Sequence, residues 1–466
     1  MRVTFVKKTL NILYASAEVV PFAKAGGLAD VAGALPKALM EMGHDVRVVT
    51  PRHNVAATYC SEVAGGPLKV NFLGREETIT IYRCSLSEKV PVYLLDNASY
   101  LSRRVIYGEA DDLFRYLLFC YAILELPKIL GWRPDVWHCN DWHTAPVCFG
   151  LRNKAWSEDF YRGSASVLSI HNLRYRGPDH LTDFMCQGIY YADAINTVSP
   201  TYAQEILTPE SGEGLDSLLR LRKDQLSGIL NGLDVDMYNP ETDACLRVHF
   251  DADSIEKRAE NKKFLQEQAG LEVNHERPVI GMVSRLTEQK GIDIVAAAIE
   301  SLMERSDVQI VILGSGEERY ERMIQESAAR FSHRVSLKLG FDPVYAQCIY
   351  GGADMFLMPS RYEPCGLGQL IAMRYGAIPV VRCTGGLADT VQDYNPATRQ
   401  GTGFVFTEYN VSSLLDAVDR SLAVYGSPGK WRALVRRDML ADFSWAKSAK
   451  EYEAMYRRAL EFKITG

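Results

Sequence analysis

Short apolar runs, each ending in a polar or Gly/Pro turn and most followed by helical sequence, constrain this chain more than any other feature. Asn11-Ile12-Leu13-Tyr14-Ala15 reads as a buried parallel strand. After a glycine-bearing loop, Leu28, Val31, Leu35, Leu39 and Met42 recur at helical spacing up to Gly43, and Asp45 to Thr50 is the next strand. Strand, loop, helix, strand is a βαβ unit, whose ligands bind at the carboxyl ends of the strands. Val92 to Leu95, Val136 to His138, Ser166 to Ile170 and Ile195 to Val198 extend this first set. A second set opens at Val279 to Val283, runs through a helix from Ile292 to Arg305, and returns with Val308 to Leu313, Met355 to Met358 and Ile378 to Val381. At 466 residues the chain exceeds what one core serves, about 200 residues per domain being usual. The reading is α/β, with two doubly wound, Rossmann-like domains. They span 1–235 and 236–445, and a helix at 446–466 is expected to pack back on the first. The stretch 231–277 lacks strand periodicity, so the linker is placed near 233–250.

Acidic residues number 58 against 52 basic, a net charge of −6, which leaves no electrostatic footprint for nucleic acid or an anionic membrane. Ten cysteines carry no C-x-x-C pair and no metal-finger spacing, so reduced thiols are expected and disulfides are not. Arg2, Lys7, Lys8 and Ala23-Lys24-Ala25 imitate a secretion signal, but Glu18 and Pro21 interrupt the apolar run, and a cytoplasmic setting is expected. Tyr116 to Leu130 falls short of a span of about 20 residues and carries Glu125, Pro127 and Lys128, so it reads as a buried helix.

Candidate chemistry sits at strand ends. Gly26 and Gly27 lie between strand and helix, where backbone N–H groups and the helix terminus suit a phosphate, and Lys24 adds formal charge. The turn is not a G-x-G-x-x-G dinucleotide fingerprint. Lys24 to Val31 is echoed by Cys383 to Thr390, placing a similar turn in each domain. Arg285 and Lys290 follow the strand ending at Val283, where two cations suit the charge that grows on a departing nucleoside diphosphate. Glu363, in Pro359-Ser-Arg-Tyr-Glu-Pro-Cys-Gly-Leu367, is placed to accept from sugar hydroxyls, with the Gly366 and Leu367 N–H groups toward phosphate. A helix-capping carboxylate is the alternative. His138, Asp141 and His143 have no further clustered ligand, so no metal site is expected. Asp234-Val-Asp236 reads as a turn rather than a metal string. Tyr100, Tyr107 and Trp132 read as core rather than as surface ligand contacts.

These stretches, with Asp141-Trp-His143, His171-Asn172, Asn196 to Pro200, Asn231-Gly-Leu-Asp234 and Thr384-Gly-Gly-Leu387, carry a resemblance over essentially the whole chain. The sequence resembles the bacterial glycogen synthases and plant starch synthases of glycosyltransferase family 5. The resemblance implies the two-domain GT-B fold with an interdomain cleft. It also implies transfer of glucose from ADP-glucose to the non-reducing end of an α-1,4-glucan such as glycogen or a maltooligosaccharide, with retention and with neither metal nor other cofactor. Carried over residue by residue, it implies that Arg285 and Lys290 hold the diphosphate, that Glu363 binds the transferred glucose, and that His171 sits over the sugar with its carbonyl near the oxocarbenium centre. Gly26, Gly27, Asp30 and Asn231 would line the donor site with Cys365, Gly366, Leu367, Thr384, Gly385 and Gly386. Phe341 would pack on the base, and Asp141, Trp142 and His143 would face the acceptor. Two positions depart from the family pattern: Ala25 stands where Thr is usual, and Phe341 where Tyr is usual. Family 4 transferases commonly carry a second Glu eight residues after the first, and here that position is Ile371. A family 4 type transferase with another donor is the rival enzyme, and a non-catalytic glucan-binding scaffold the rival of another class.

Overall fold

The computed structural model describes residues 9–54, 63–177 and 183–465; Arg2, Lys7 and Lys8 of the signal-like segment lie outside them. The chain forms two compact units, 1–232 with 444–466, and 233–443.

In the first unit the strands are β1 (Asn11–Ala15), β2 (Asp45–Pro51), β3 (Leu68–Phe72), β4 (Arg75–Leu86), β5 (Val90–Asp96), β6 (Val136–Asn140), β7 (Ala165–Ile170), β8 (Ala194–Thr197) and β9 (Leu226–Gly228). They form one sheet in the order β3-β4-β5-β2-β1-β6-β7-β8-β9. From β5 to β9 every pairing is parallel, with Tyr14 opposite both Val48 and His138, whereas β3, β4 and β5 pair antiparallel. The parallel strands read as unbroken apolar runs because both faces are covered. On one face Val31, Leu35 and Leu39 of helix Gly27–Glu41 meet Tyr452, Met455 and Tyr456 of helix Trp445–Thr465. On the other, Tyr116, Phe119 and Ile123 of helix Asp112–Ile129 pack with Phe184 and Ile189. Among the described residues no helix is long and apolar enough to cross a membrane. The pair β3 and β4 was not expected, because Arg75–Leu86 is polar on its outward face and lacks an apolar run.

The second unit is a parallel sheet of β10 (Val279–Val283), β11 (Gln309–Gly314), β12 (Val335–Leu339), β13 (Met355–Met358), β14 (Ile378–Arg382) and β15 (Phe404–Phe406), ordered β12-β11-β10-β13-β14-β15. The stretch expected as linker belongs to this unit. Leu233, Tyr238, Leu246 and Phe250 are buried in its core, and Tyr375 Oη donates to Asp243 at 2.6 Å. Its apolar anchors are spaced by turns, so no regular period marked them. Asp234 closes one of these turns, its carboxylate accepting from the N–H groups of Asp236 and Met237. The chain passes between units at Gly232, where a Cβ would meet the Trp445 backbone at 2.7 Å; a side chain would push the outgoing and returning segments apart.

One expectation is corrected: Cys84 on β4 is disulfide-bonded. Cys120, Cys139, Cys148, Cys186, Cys245, Cys348, Cys365 and Cys383 are free thiols.

Candidate active site

Each sheet reverses its strand order beside its first strand, β1 between β2 and β6 in one unit and β10 between β11 and β13 in the other. Such switch points open a crevice at the strands' carboxyl ends. Lys24 follows β1, Asp141 follows β6, Arg285 and Lys290 follow β10, and Glu363 follows β13, whereas Asn231 and Phe341 follow the edge strands β9 and β12.

In the first unit, β1 runs into a loop whose turn is built on Glu18. Its buried carboxylate accepts from the N–H groups of Ala25 at 2.5 Å and Gly26 at 2.9 Å. Burial raises the Glu18 pKa and these bonds oppose the rise. Of the two N–H groups read from sequence as facing phosphate, that of Gly26 is therefore already bound to an anion within the chain, together with that of Ala25. Lys24 pairs with Asp30 at 2.7 Å, and Gly27 is the first residue of helix Gly27–Glu41.

At the end of β6, Asp141 adopts φ 54 and turns its carboxylate back on β7, accepting from His171 N–H at 2.7 Å and Asn172 N–H at 3.5 Å. A trans peptide sets its N–H and C=O on opposite sides, so the His171 carbonyl points away from Asp141. Burial raises the Asp141 pKa to about 7. His171 Nε2 lies 2.9 Å from Asn140 Oδ1, which also accepts from Tyr14 Oη at 3.1 Å, while Asn140 Nδ2 donates to Ala15 O at 2.9 Å. With the amide thus oriented, His171 Nε2 must carry the proton and Nδ1 is the basic nitrogen. Loss of water around the ring lowers the His171 pKa to about 3, so the imidazole is neutral. Beneath it His138 lies within β6, and its two nitrogens meet Tyr456 Oη and Ser169 Oγ, each at 2.7 Å.

In the second unit β10 ends at Val283, and Arg285 lies exposed with Nη2 donating to Gln289 Oε1 at 3.1 Å. Gly291, at φ 75, lets the following helix start against Pro359, where a Cβ would sit 2.2 Å from the carbonyl oxygen. That approach brings Lys290 Nζ to Glu363 Oε2 at 2.5 Å, and Ser360 Oγ donates to the same oxygen at 3.0 Å. Glu363 is 6% exposed. Its backbone carbonyl accepts from Gly386 N–H at 3.1 Å. A Cβ on Gly385 would lie 2.0 Å from Glu363 O, and one on Gly386 would lie 2.1 Å from Cys365 O.

Residues 11–221 match the family described as starch synthase catalytic domain, and residues 264–433 match glycosyl transferases group 1. A glycogen synthase of Moorella thermoacetica is 47% identical over 482 residues, covering 97% of this chain and 98% of the relative. The chain belongs to the glycogen synthase family. The solved catalytic domain of starch synthase IV from Arabidopsis thaliana, bound to ADP and acarbose, superposes on this family member with a TM-score of 0.89 at 33% identity, covering 97% and 100% of the two chains. Sucrose-phosphate synthase from Thermosynechococcus elongatus, at 20% identity, TM-score 0.62 and 96% and 98% coverage, shares the GT-B fold of two parallel-sheet α/β domains.

Within this glycogen synthase family member, the structure joins Lys290 to Glu363, Asp141 to His171, and Lys24 to Asp30. Other candidates lie within the packing. Trp142 and His143, expected to face an acceptor, are 7% and 5% exposed and stack among Tyr107, Tyr116 and Phe184. Trp132 is buried with Nε1 donating to Asp45. Thr384 is buried, and the Gly385-Gly386 pair seats the backbone of Glu363 and Cys365. The echoed turn thus does different work in the two units: a carboxylate fills one and carbonyls fill the other. Cys365 is a buried free thiol, and Gly366, at φ 77, and Leu367 lead into helix Gly368–Arg374. Asn231 is buried, and among the described residues its Oδ1 has no hydrogen-bond partner. Phe341 is 82% exposed, held out before helix Pro343–Gly352 where Asp342 caps Tyr345 N–H. Sequence reasoning missed Glu18 and Asn140 as site-builders. Glu18 had left one signal, a charge in an otherwise apolar run.

Proposed function

We propose that this chain transfers glucose from ADP-glucose to the non-reducing end of an α-1,4-glucan, with retention of configuration and without a metal ion, in a cytoplasmic setting. The observation that carries the reading is the Lys290, Glu363 and Ser360 cluster held by the Gly291 and Gly386 close approaches. A rigid carboxylate bound to a cation can orient sugar hydroxyls while Arg285 and Lys290 meet charge growing on the leaving diphosphate. His171, neutral and pinned through Asn140 and Asp141, offers a carbonyl of fixed direction to a developing oxocarbenium ion. In front-face chemistry the bond to the diphosphate breaks as the acceptor hydroxyl attacks from the same side, and the departing phosphate oxygen takes the hydroxyl proton. The protein then works by positioning and charge rather than by a nucleophile. Membership of the glycogen synthase family and the likeness to starch synthase IV support this reading.

Nucleotide release with glycogen as acceptor tests it, with ADP-glucose and UDP-glucose compared at equal concentration. Faster turnover of ADP-glucose is expected, with Ala25 tolerated. Preference for UDP-glucose would overturn the donor assignment, and release from neither would overturn the enzyme.

A further inference from the structure

The first unit carries a pocket of about 700 Å³ whose lining includes none of the candidate active-site residues. Its walls come from helix Pro146–Ser157, the turn after it, the start of β8 and the end of helix Trp445–Thr465. Four cations line it, Arg152, Arg162, Arg222 and Lys463, against the single carboxylate of Asp193. That excess stands on a chain whose net charge is −6.

The cations are unequally committed. Arg162 pairs with Asp159 at 2.7 Å in solvent. Lys463 lies 3.7 Å from Asp193, whose other oxygen already accepts from Ser166 N–H at 2.8 Å and Ser166 Oγ at 3.1 Å. Arg222 is held by carbonyls, donating to Ile189 O at 2.8 Å and Ala192 O at 2.5 Å, and by Gln225 Oε1 at 3.2 Å. Among the described residues neither Arg222 nor Arg152 has a carboxylate at ion-pair distance. Burial lowers the Arg222 pKa, Asp193 opposes this, and the like charge of Arg152 lowers it further. An anion between the two guanidiniums would relieve that repulsion and accept bonds from the exposed Arg152. One helical turn from Arg152 stands Trp156, 83% exposed, an indole face set in water beside the charges.

We infer that this pocket is a binding site for a sugar phosphomonoester, with Arg152 and Arg222 taking the phosphate and Trp156 stacking on the sugar ring. The indole distinguishes a ring-borne phosphate from inorganic phosphate, which cannot use it. The phosphate can come on a free hexose phosphate or as an ester on a glucan chain.

Titration calorimetry on the full chain tests this with glucose 6-phosphate, inorganic phosphate, glucose and a phosphorylated maltooligosaccharide. Glucose 6-phosphate should bind saturably, and inorganic phosphate about tenfold more weakly or worse. Arg152→Glu and Trp156→Ala, both at exposed positions, should each weaken glucose 6-phosphate by about tenfold or more while turnover with ADP-glucose stays unchanged. Binding elsewhere on the chain would survive both substitutions, so their effect isolates the pocket. Tighter binding of the phosphorylated oligosaccharide would identify a glucan ester as the source, and binding of glucose 6-phosphate alone a free sugar phosphate. The inference is overturned if no saturable binding occurs, if both variants bind like the parent, or if inorganic phosphate binds as tightly as glucose 6-phosphate.

Discussion

Glu363 and Lys290 hold one another at 2.5 Å, so truncating either leaves the other's charge without its partner as well as removing a group from the site. Glu363→Ala should lower turnover by about 100-fold or more with the circular dichroism spectrum unchanged. Near-normal nucleotide release would remove Glu363 from the mechanism. Asn140 is a positioning residue acting through His171. Asn140→Leu should lower kcat by about tenfold and release the tautomer, read as a change in the His171 ring signals in ¹⁵N NMR. A retained Nε2–H tautomer would show that another group sets it. Lys290 and Glu363 were legible in sequence because each follows a strand end. Their pairing was not, since 73 positions separate them and only the fold brings them together.

Helices and turns decide how firmly these side chains are held. Gly386 serves by lacking a Cβ, and Gly386→Ala would place a carbon 2.1 Å from Cys365 O and disturb the N–H bond to Glu363 O. A loss of about 1–3 kcal/mol in urea unfolding, with a fall in turnover, is expected. Helix Trp445–Thr465 contributes more than an apolar face, because Tyr456 satisfies buried His138 and Tyr452 accepts from Asn196. Tyr456→Phe should cost about 1–3 kcal/mol by leaving His138 Nδ1 unpaired, and unchanged stability would mean that water takes over the bond. The periodicity of this helix and of Gly27–Glu41 was readable. The hairpin of β3 and β4 was not read from apolar runs, because Leu68, Val70 and Phe72 alternate with Lys69 and Asn71 and their burial comes from helix Asp112–Ile129.

The molecule as a whole should be acid-sensitive through its first unit. Burial lowers the pKa of His53 to about 4 and of His138 and His171 to about 3, from 6.5. Between pH 4 and 6.5 these rings are neutral when folded and protonated when unfolded. The unfolded chain then binds more protons, and stability present above pH 6.5 is lost as pH falls. Asp141 acts oppositely: with its pKa raised to about 7, the folded state keeps a proton that the unfolded carboxyl gives up, so its contribution weakens as pH rises. Among these four groups three protons stand against one, at about 1.4 kcal/mol per proton per pH unit; His143, pushed down by burial, adds to the first side, and Glu18 and Asp438, pushed up by burial, add to the second. Urea midpoints at pH 5 and pH 6.5 measure this, and equal values would contradict the burial of these rings.

The sequence by itself determined the two doubly wound halves, because strands buried on both faces must be apolar throughout and their helices must show a 3.6-residue period. It also marked the strand ends where Lys24, Asp141, His171, Arg285, Lys290 and Glu363 stand. Only the tertiary structure decided that the Lys24 to Gly27 turn is filled by Glu18, that Trp142 and His143 are core, and that Cys84 is oxidised. Periodicity is a property of neighbours along the chain, whereas a hydrogen bond, a stacked ring or a disulfide depends on which distant residues the closed sheet brings within reach.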